Sequence, residues 1–117
     1  MVTHKDLNAN ATLFGGRVLD WIDEEAYIYC ACQLDNSRIV TASMSNVEFV
    51  STAVRGDIVE VGVGIVCFGR TSITVKCVVR NKKTKQVITK IDKMVFVNLG
   101  DDGKPTPHGK VLSNEAN

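Results

Sequence analysis

Residues 15–34 read Gly15-Gly16-Arg17-Val18-Leu19-Asp20-Trp21-Ile22-Asp23-Glu24-Glu25-Ala26-Tyr27-Ile28-Tyr29-Cys30-Ala31-Cys32-Gln33-Leu34. Val18, Leu19, Ile22, Ala26, Tyr29 and Cys30 recur at three- and four-residue spacing, which draws one apolar stripe along a helix. Asp20, Asp23, Glu24 and Glu25 put negative charge in its early turns, as the helix dipole favours. The polar run Asp35-Asn36-Ser37 ends it. This is the only good helical pattern in the chain.

Everything after it reads as strand. Residues 38–49 are rich in β-branched side chains. In 57–68, Val59, Val61, Val63, Ile65 and Cys67 share a face, as do Ile73, Val75, Cys77 and Val79 in 71–80. Residues 87–97 close the series with Val87, Ile91, Val95 and Val97. Turns at Arg55-Gly56-Asp57, Gly69-Arg70-Thr71 and Asn81 to Lys85 make the last three strands an antiparallel meander. One helix followed by long antiparallel strands is an α+β pattern, with the helix on one sheet face. Gly62 and Gly64 alternate with the valines, so something is expected to approach the backbone there, the helix itself being one candidate. We expect one domain over residues 1–99 and a mobile C-terminal tail over 100–117, where Pro105 and Pro107 stand among few apolar groups.

The 117 residues are 44% hydrophobic and 23% charged, enough for one cored domain. A domain this small buries a modest share of its surface, which favours a partner subunit. Fourteen basic and 13 acidic residues leave a net charge of +1, with no basic stripe interleaved with aromatics, which speaks against nucleic acid as a partner. The longest nearly uncharged run, Val61 to Gly69, is too short to span a membrane, and the polar start resembles no export signal. Cys30, Cys32, Cys67 and Cys77 lie in apolar patterns without metal or redox spacing. They read as free thiols in a reducing compartment, so a cytoplasmic location is expected.

The chemistry is sought where Asn8-Ala9-Asn10-Ala11-Thr12-Leu13-Phe14-Gly15-Gly16 runs into the helix. Two glycines at a helix start can leave backbone N–H groups open to a ligand, where they would stabilise a developing oxyanion; a glycine-assisted turn is the plainer alternative. Two turns on, Asp23 lies roughly 40° from Leu19 and 20° from Cys30 around the axis, at the border of the apolar stripe. Glu24 points outward and Glu25 lies at the opposite border. There is no Gly-x-Ser-x-Gly elbow, Cys/His pair, metal cluster or phosphate loop. His4 and His108 stand near the chain ends, a poor setting for imidazole catalysis.

The run from Asn8 to Glu24 resembles the opening of hot-dog-fold acyl-CoA thioesterases, of the bacterial YciA type and the related cytosolic acyl-CoA hydrolases of animals. The likeness continues through Val40-Thr41-Ala42-Ser43-Met44, Phe49, Gly56-Asp57 and Gly69-Arg70-Thr71-Ser72, in the same order over roughly residues 7–98. It implies the hot-dog fold, one long helix wrapped by a curved antiparallel sheet, and hydrolysis of acyl-CoA to a free acid and coenzyme A. The family's helix carboxylate falls on Asp23, which would activate water or attack the thioester. Its loop asparagine falls on Asn8, reaching across a dimer interface. The N–H groups near Gly15 and Gly16 would polarise the carbonyl. Gly69, Arg70, Thr71 and Ser72 would approach coenzyme A, which enters as substrate rather than cofactor, and no metal is implied. Three departures stand out: Ala11 where glycine is common, Thr52 where proline is frequent, and Tyr27 where a small residue is usual near the acyl end. A homodimer at least, and a trimer of dimers, is the expected assembly. Two other readings remain open: a hot-dog dehydratase or hydratase, which would want a histidine near the helix, and a non-catalytic acyl-CoA-binding or regulatory module.

Overall fold

The computed structural model describes residues 1–112. After a short 3-10 turn at His4–Asp6, helix α1 spans Gly15–Leu34, and four strands follow: β1 (Ile39–Phe49), β2 (Val59–Phe68), β3 (Ser72–Asn81) and β4 (Val87–Asn98). The boundaries lie within two residues of those expected from sequence. The stripe buried by α1 is Val18, Ile22, Ala26, Cys30 and Leu34, a strict four-residue repeat on one side. Ile22, with no exposed surface, contributes about 2–3 kcal/mol by leaving water.

The strands form one antiparallel sheet in the order β1-β4-β3-β2, and all four contact α1. The last three make the expected meander. The first pairs with the far side of β4, so residues 50–58 must cross from one sheet edge to the other. That crossing is tied down by Val50 N–H and Ser51 N–H to Ile88 O, by Leu13 N–H to Ala53 O, and by a reciprocal pair between Val2 and the 56–57 turn. On β3, Ile73, Val75, Cys77 and Val79 are buried against the helix; on β4, Ile91, Met94 and Phe96 join them.

One of the open readings is excluded. Gly62 and Gly64 face away from α1, because Val61, Val63 and Ile65 are the β2 residues that pack on the core. A Cβ at Gly62 would meet only Val78 O at 3.9 Å, so the helix is not what approaches there. The acidic residues of α1 begin in its second turn, at Asp20, and the first turn holds Arg17, against the dipole's preference. Asp6 offsets it, with Oδ1 2.9 Å from Arg17 Nε.

From Gly100, where composition suggests a mobile tail, the chain is hydrogen-bonded to the sheet as far as His108. Leu99 bridges Pro105, Thr106 N–H reaches Asn98 O at 2.9 Å, and His108 N–H reaches Arg70 O at 3.3 Å. The remainder of that segment, 113–117, lies outside the described residues. Cys30 and Cys77 are buried and Cys32 and Cys67 exposed, all four as free thiols. Burial pushes Cys30 up to about 12 and Cys77 up to about 11, so neither supplies a thiolate near neutral pH.

Candidate active site

Asp23 is half-buried on the third turn of α1, on the flank that faces β1. Its Oδ1 accepts a hydrogen bond from Thr41 Oγ1 at 2.7 Å. Thr41 reaches it by plain alternation: it follows buried Ile39 on the face of β1 toward α1, and the two pair with buried Phe96 and Asn98. The bulge lies just beyond, at Ala42, since Thr41 pairs with Phe96 but Ser43 with Val95. Thr41 was missed as a site residue because its partner lies 18 positions away, beyond the reach of any local pattern. With the hydroxyl donating to Oδ1, Oδ2 accepts nothing from the described residues and is left for water or substrate. Glu24 and Glu25 are both exposed.

The loop before the helix is closed on itself. Asn8 Oδ1 accepts from Asn10 N–H at 2.9 Å and Thr12 N–H at 3.2 Å, and Nδ2 donates to Thr12 Oγ1 at 3.0 Å. Within one chain these bonds hold the Asn8 side chain in its own loop, and no hydrogen bond joins it to Asp23 among the described residues. Ala11 completes this turn with φ 59°, in the left-handed region that disfavours any Cβ. That is the physical reason glycine suits this position.

Gly15 and Gly16 open α1 without a side-chain cap. Arg17 N–H and Val18 N–H return to Phe14 O, while the two glycine N–H groups find no acceptor among the described residues. The glycines also make room for aromatic rings. A Cβ at Gly16 would lie 2.7 Å from Phe14 Cε1, and one at Gly15 3.2 Å from Phe49 Cε1. Phe14 and Phe49 are 56% and 55% exposed, so two phenyl faces border the uncovered N–H groups.

Tyr27, one turn beyond Asp23, packs its ring on the core edge and donates its hydroxyl to Ser37 O, toward the C-terminal end of the helix. Gly69 to Ser72 form the β2–β3 turn, some distance along the chain from the helix start. Gly69 N–H closes on Ser72 O at 2.9 Å, and a Cβ at Gly69 would collide with Ser72 Oγ. Arg70 projects into solvent. Clefts open elsewhere, one along Gly62, Gly64, Lys76 and Val78 and one between Arg17, Trp21, Glu25 and Val59; Asp23 lines neither. Among the described residues no group of three or more His, Cys, Asp or Glu side chains could hold a metal, and no helix is long and apolar enough to cross a membrane.

Residues 10–88 match the model of the thioesterase superfamily, a span that takes in Asp23, Thr41 and the 69–72 turn but neither Asn8 nor His108. The chain belongs to the thioesterase superfamily. An uncharacterized acyl-CoA thioester hydrolase of Buchnera aphidicola is 31% identical over 86% of this chain and 78% of its own length. A hexameric acyl-CoA thioesterase solved in apo form is 34% identical, with a TM-score of 0.82 over 92% of this chain and 70% of that one. The acyl-CoA hydrolase of Staphylococcus aureus, solved with butyryl coenzyme A and coenzyme A, is 30% identical, with a TM-score of 0.82 over 92% of this chain and 64% of that one. It has also been characterized with an aspartate, an asparagine or a threonine replaced by alanine. The helix on an antiparallel sheet is thus the hot-dog fold of these thioesterases.

Proposed function

We propose that the protein hydrolyses acyl-CoA thioesters, releasing a carboxylic acid and coenzyme A, with Asp23 as the group that acts on the carbonyl carbon. The observation that carries this is a half-buried helix carboxylate with one oxygen fixed by Thr41 and the other free, in a chain of the thioesterase superfamily. Aspartate, asparagine and threonine, the residue types replaced in the Staphylococcus hydrolase, are also those of Asp23, Asn8 and Thr41 here.

In the general-base form, Asp23 Oδ2 takes a proton from water as its oxygen attacks the thioester carbon. The carbonyl oxygen gains the negative charge, and the N–H groups of Gly15 and Gly16 stabilise it. The tetrahedral intermediate then collapses, the C–S bond breaks, and coenzyme A leaves as its thiolate. In the nucleophilic form, Asp23 attacks first and water hydrolyses the resulting anhydride. Water labelled with oxygen-18 bears on the choice, since label in the Asp23 carboxylate after turnover arises only in the second form, where water attacks the aspartyl carbon of the anhydride. Neither form draws on a cofactor.

The assembly follows from the edge strand. Of the 11 residues of β1, only Ile39 is buried; Val40, Val47 and Phe49 are exposed, and one side of its backbone is unpaired. A long unpaired edge that exposes these three apolar side chains needs covering. Pairing of β1 with its counterpart in a second subunit covers it and brings the partner's Asn8 loop toward Asp23. Three such dimers make the hexamer. Tyr27 limits the acyl pocket and favours short or branched acyl groups, and Arg70 with the 69–72 turn receives coenzyme A.

The test is thiol release over a panel of acyl-CoA substrates from acetyl to palmitoyl. Turnover that falls with chain length is expected. Binding of acyl-CoA without turnover would instead support the non-catalytic module, and hydration of an enoyl-CoA the dehydratase class.

A further inference from the structure

The β2–β3 turn is fixed by more than its own hydrogen bonds. Gly69 N–H bonds Ser72 O at 2.9 Å, and Asn98 N–H, from the end of β4, bonds Thr71 O at 2.7 Å. The other supports come from one residue of the C-terminal segment. His108 N–H bonds Arg70 O at 3.3 Å, and His108 Nε2 lies 2.8 Å from Ser72 O. Its Nδ1 accepts from Lys110 N–H at 2.9 Å. A carbonyl on one ring nitrogen and an N–H on the other fix the neutral tautomer with the proton on Nε2. The ring also packs on Phe68, the last residue of β2, at 5.4 Å between centroids and 57° between planes.

Every carbonyl from Arg70 to Ser72 therefore accepts a hydrogen bond, two of the three from His108. The Arg70 side chain is left exposed, without a carboxylate partner among the described residues. A backbone held on three sides below a free guanidinium is a preorganised platform for an anion, because a loop ordered beforehand has less freedom to lose on binding. Neither the ring nor its backbone is free to do chemistry itself.

We propose that His108 is a positioning residue, which locks the 69–72 turn so that Arg70 meets the phosphate-bearing nucleotide end of the acyl-CoA substrate. This rests on the acyl-CoA assignment above. It makes the C-terminal segment through Lys110 a functional strap on the hot-dog domain.

The experiment compares butyryl-CoA with butyryl-N-acetylcysteamine, which keeps the thioester and lacks the nucleotide, on the full-length chain. His108→Ala should raise KM for butyryl-CoA on the order of tenfold, the size of one lost net hydrogen bond, while kcat moves less than twofold. Hydrolysis of the truncated substrate should be unchanged within the same margin. His108→Gln should restore most of the KM, because its amide can donate to Ser72 O and accept from Lys110 N–H. An unchanged KM, an equal loss on both substrates, or no rescue by glutamine would each overturn the proposal. If His108→Ala fails to fold, His108→Leu, which keeps the apolar contact with Phe68 and removes both ring hydrogen bonds, decides: a KM for butyryl-CoA raised on the order of tenfold supports the strap and an unchanged KM overturns it. A wild-type protein that releases no thiol from any acyl-CoA would sink the functional assignment and this inference together, whereas an active enzyme indifferent to His108 sinks only the latter.

Discussion

At its C-terminal end α1 stops on Asp35 in a left-handed conformation, whose N–H and that of Asn36 both return to Ala31 O. The Asn36 side chain then bonds Asn98 Oδ1 and Leu99 O, both at 2.9 Å, and accepts from Arg38 N–H. At its N-terminal end Phe14 gives no side-chain cap, the N–H groups of Gly15 and Gly16 have no partner among the described residues, and a cation occupies the first turn. Four orphan groups at each end is the common condition of helices. Here one end resolves it locally and the other keeps it open. The closed end holds the sheet to the helix; in the proposed mechanism the open end is where a developing oxyanion finds its donors.

The sharpest way to break this contrast is at Asp23. Asp23→Asn keeps shape and removes the ionised oxygen, so kcat should fall on the order of 10²–10⁴-fold with KM little changed and melting temperature preserved. Thr41→Val, which deletes the hydroxyl that orients Oδ1, should lower kcat roughly tenfold, the scale of one lost hydrogen bond. Glu24→Gln, on the outward face, should stay within a few-fold. Near-wild-type turnover in Asp23→Asn would move the search to Glu25.

Asp6 sets the open end's position rather than its chemistry. Only 3% exposed, its carboxylate accepts from Thr3 N–H, Thr3 Oγ1 and Arg17 Nε, and its carbonyl accepts Phe14 N–H. The Thr3 backbone N–H, then the Thr3 hydroxyl and Arg17, hold this carboxyl below its ordinary value of 3.8 against the opposing effect of burial. A lowered carboxyl adds stability that is complete above the unfolded value and disappears as pH falls through the folded one. Asp6→Asn should therefore cost about 2–3 kcal/mol at neutral pH, measured by urea unfolding, and the difference should shrink as the pH drops below about 4. A constant gap across that range would show that the charge is irrelevant.

Asn36→Ala probes the closed end. It should cost about 1–2 kcal/mol in urea unfolding and leave kcat unchanged, the reverse of Asp23→Asn. A fall in kcat equal to the fall in stability would mean that the two ends are not separable.

How much of this was legible in sequence follows the range of each interaction. The helix and the strands were readable because Val18 to Leu34 and Ile73 to Val79 carry their period locally. So was Asp23 as a border residue. The Thr41–Asp23 bond, the Asp6–Arg17 pair and the seat of His108 on the 69–72 turn each join residues at least 11 positions apart, and no local pattern encodes such contacts. What approaches Gly62 and Gly64 stayed open in sequence for a related reason: alternation says that two faces differ, not which one meets α1.

The smallest expected effect tests the loop that leads into the open end. Ala11 stands at φ 59°, where a Cβ crowds the following carbonyl and costs about 1 kcal/mol that glycine avoids. Glycine also has more freedom to lose on folding, which takes back part of the gain. Ala11→Gly should then stabilise the protein by less than about 1 kcal/mol, an upward shift of a few degrees or less in Tm. The Asn8 bonds to Asn10 and Thr12 close the same loop and are made by the side chain at position 8, so they survive the change. If the loop is strained rather than merely stiff, relief of that strain should raise stability without altering kcat. If Ala11→Gly destabilises the protein or lowers kcat, unfolded-state entropy outweighs the strain at Ala11, and the stiffness that alanine brings is needed to hold Asn8 toward the partner subunit's site.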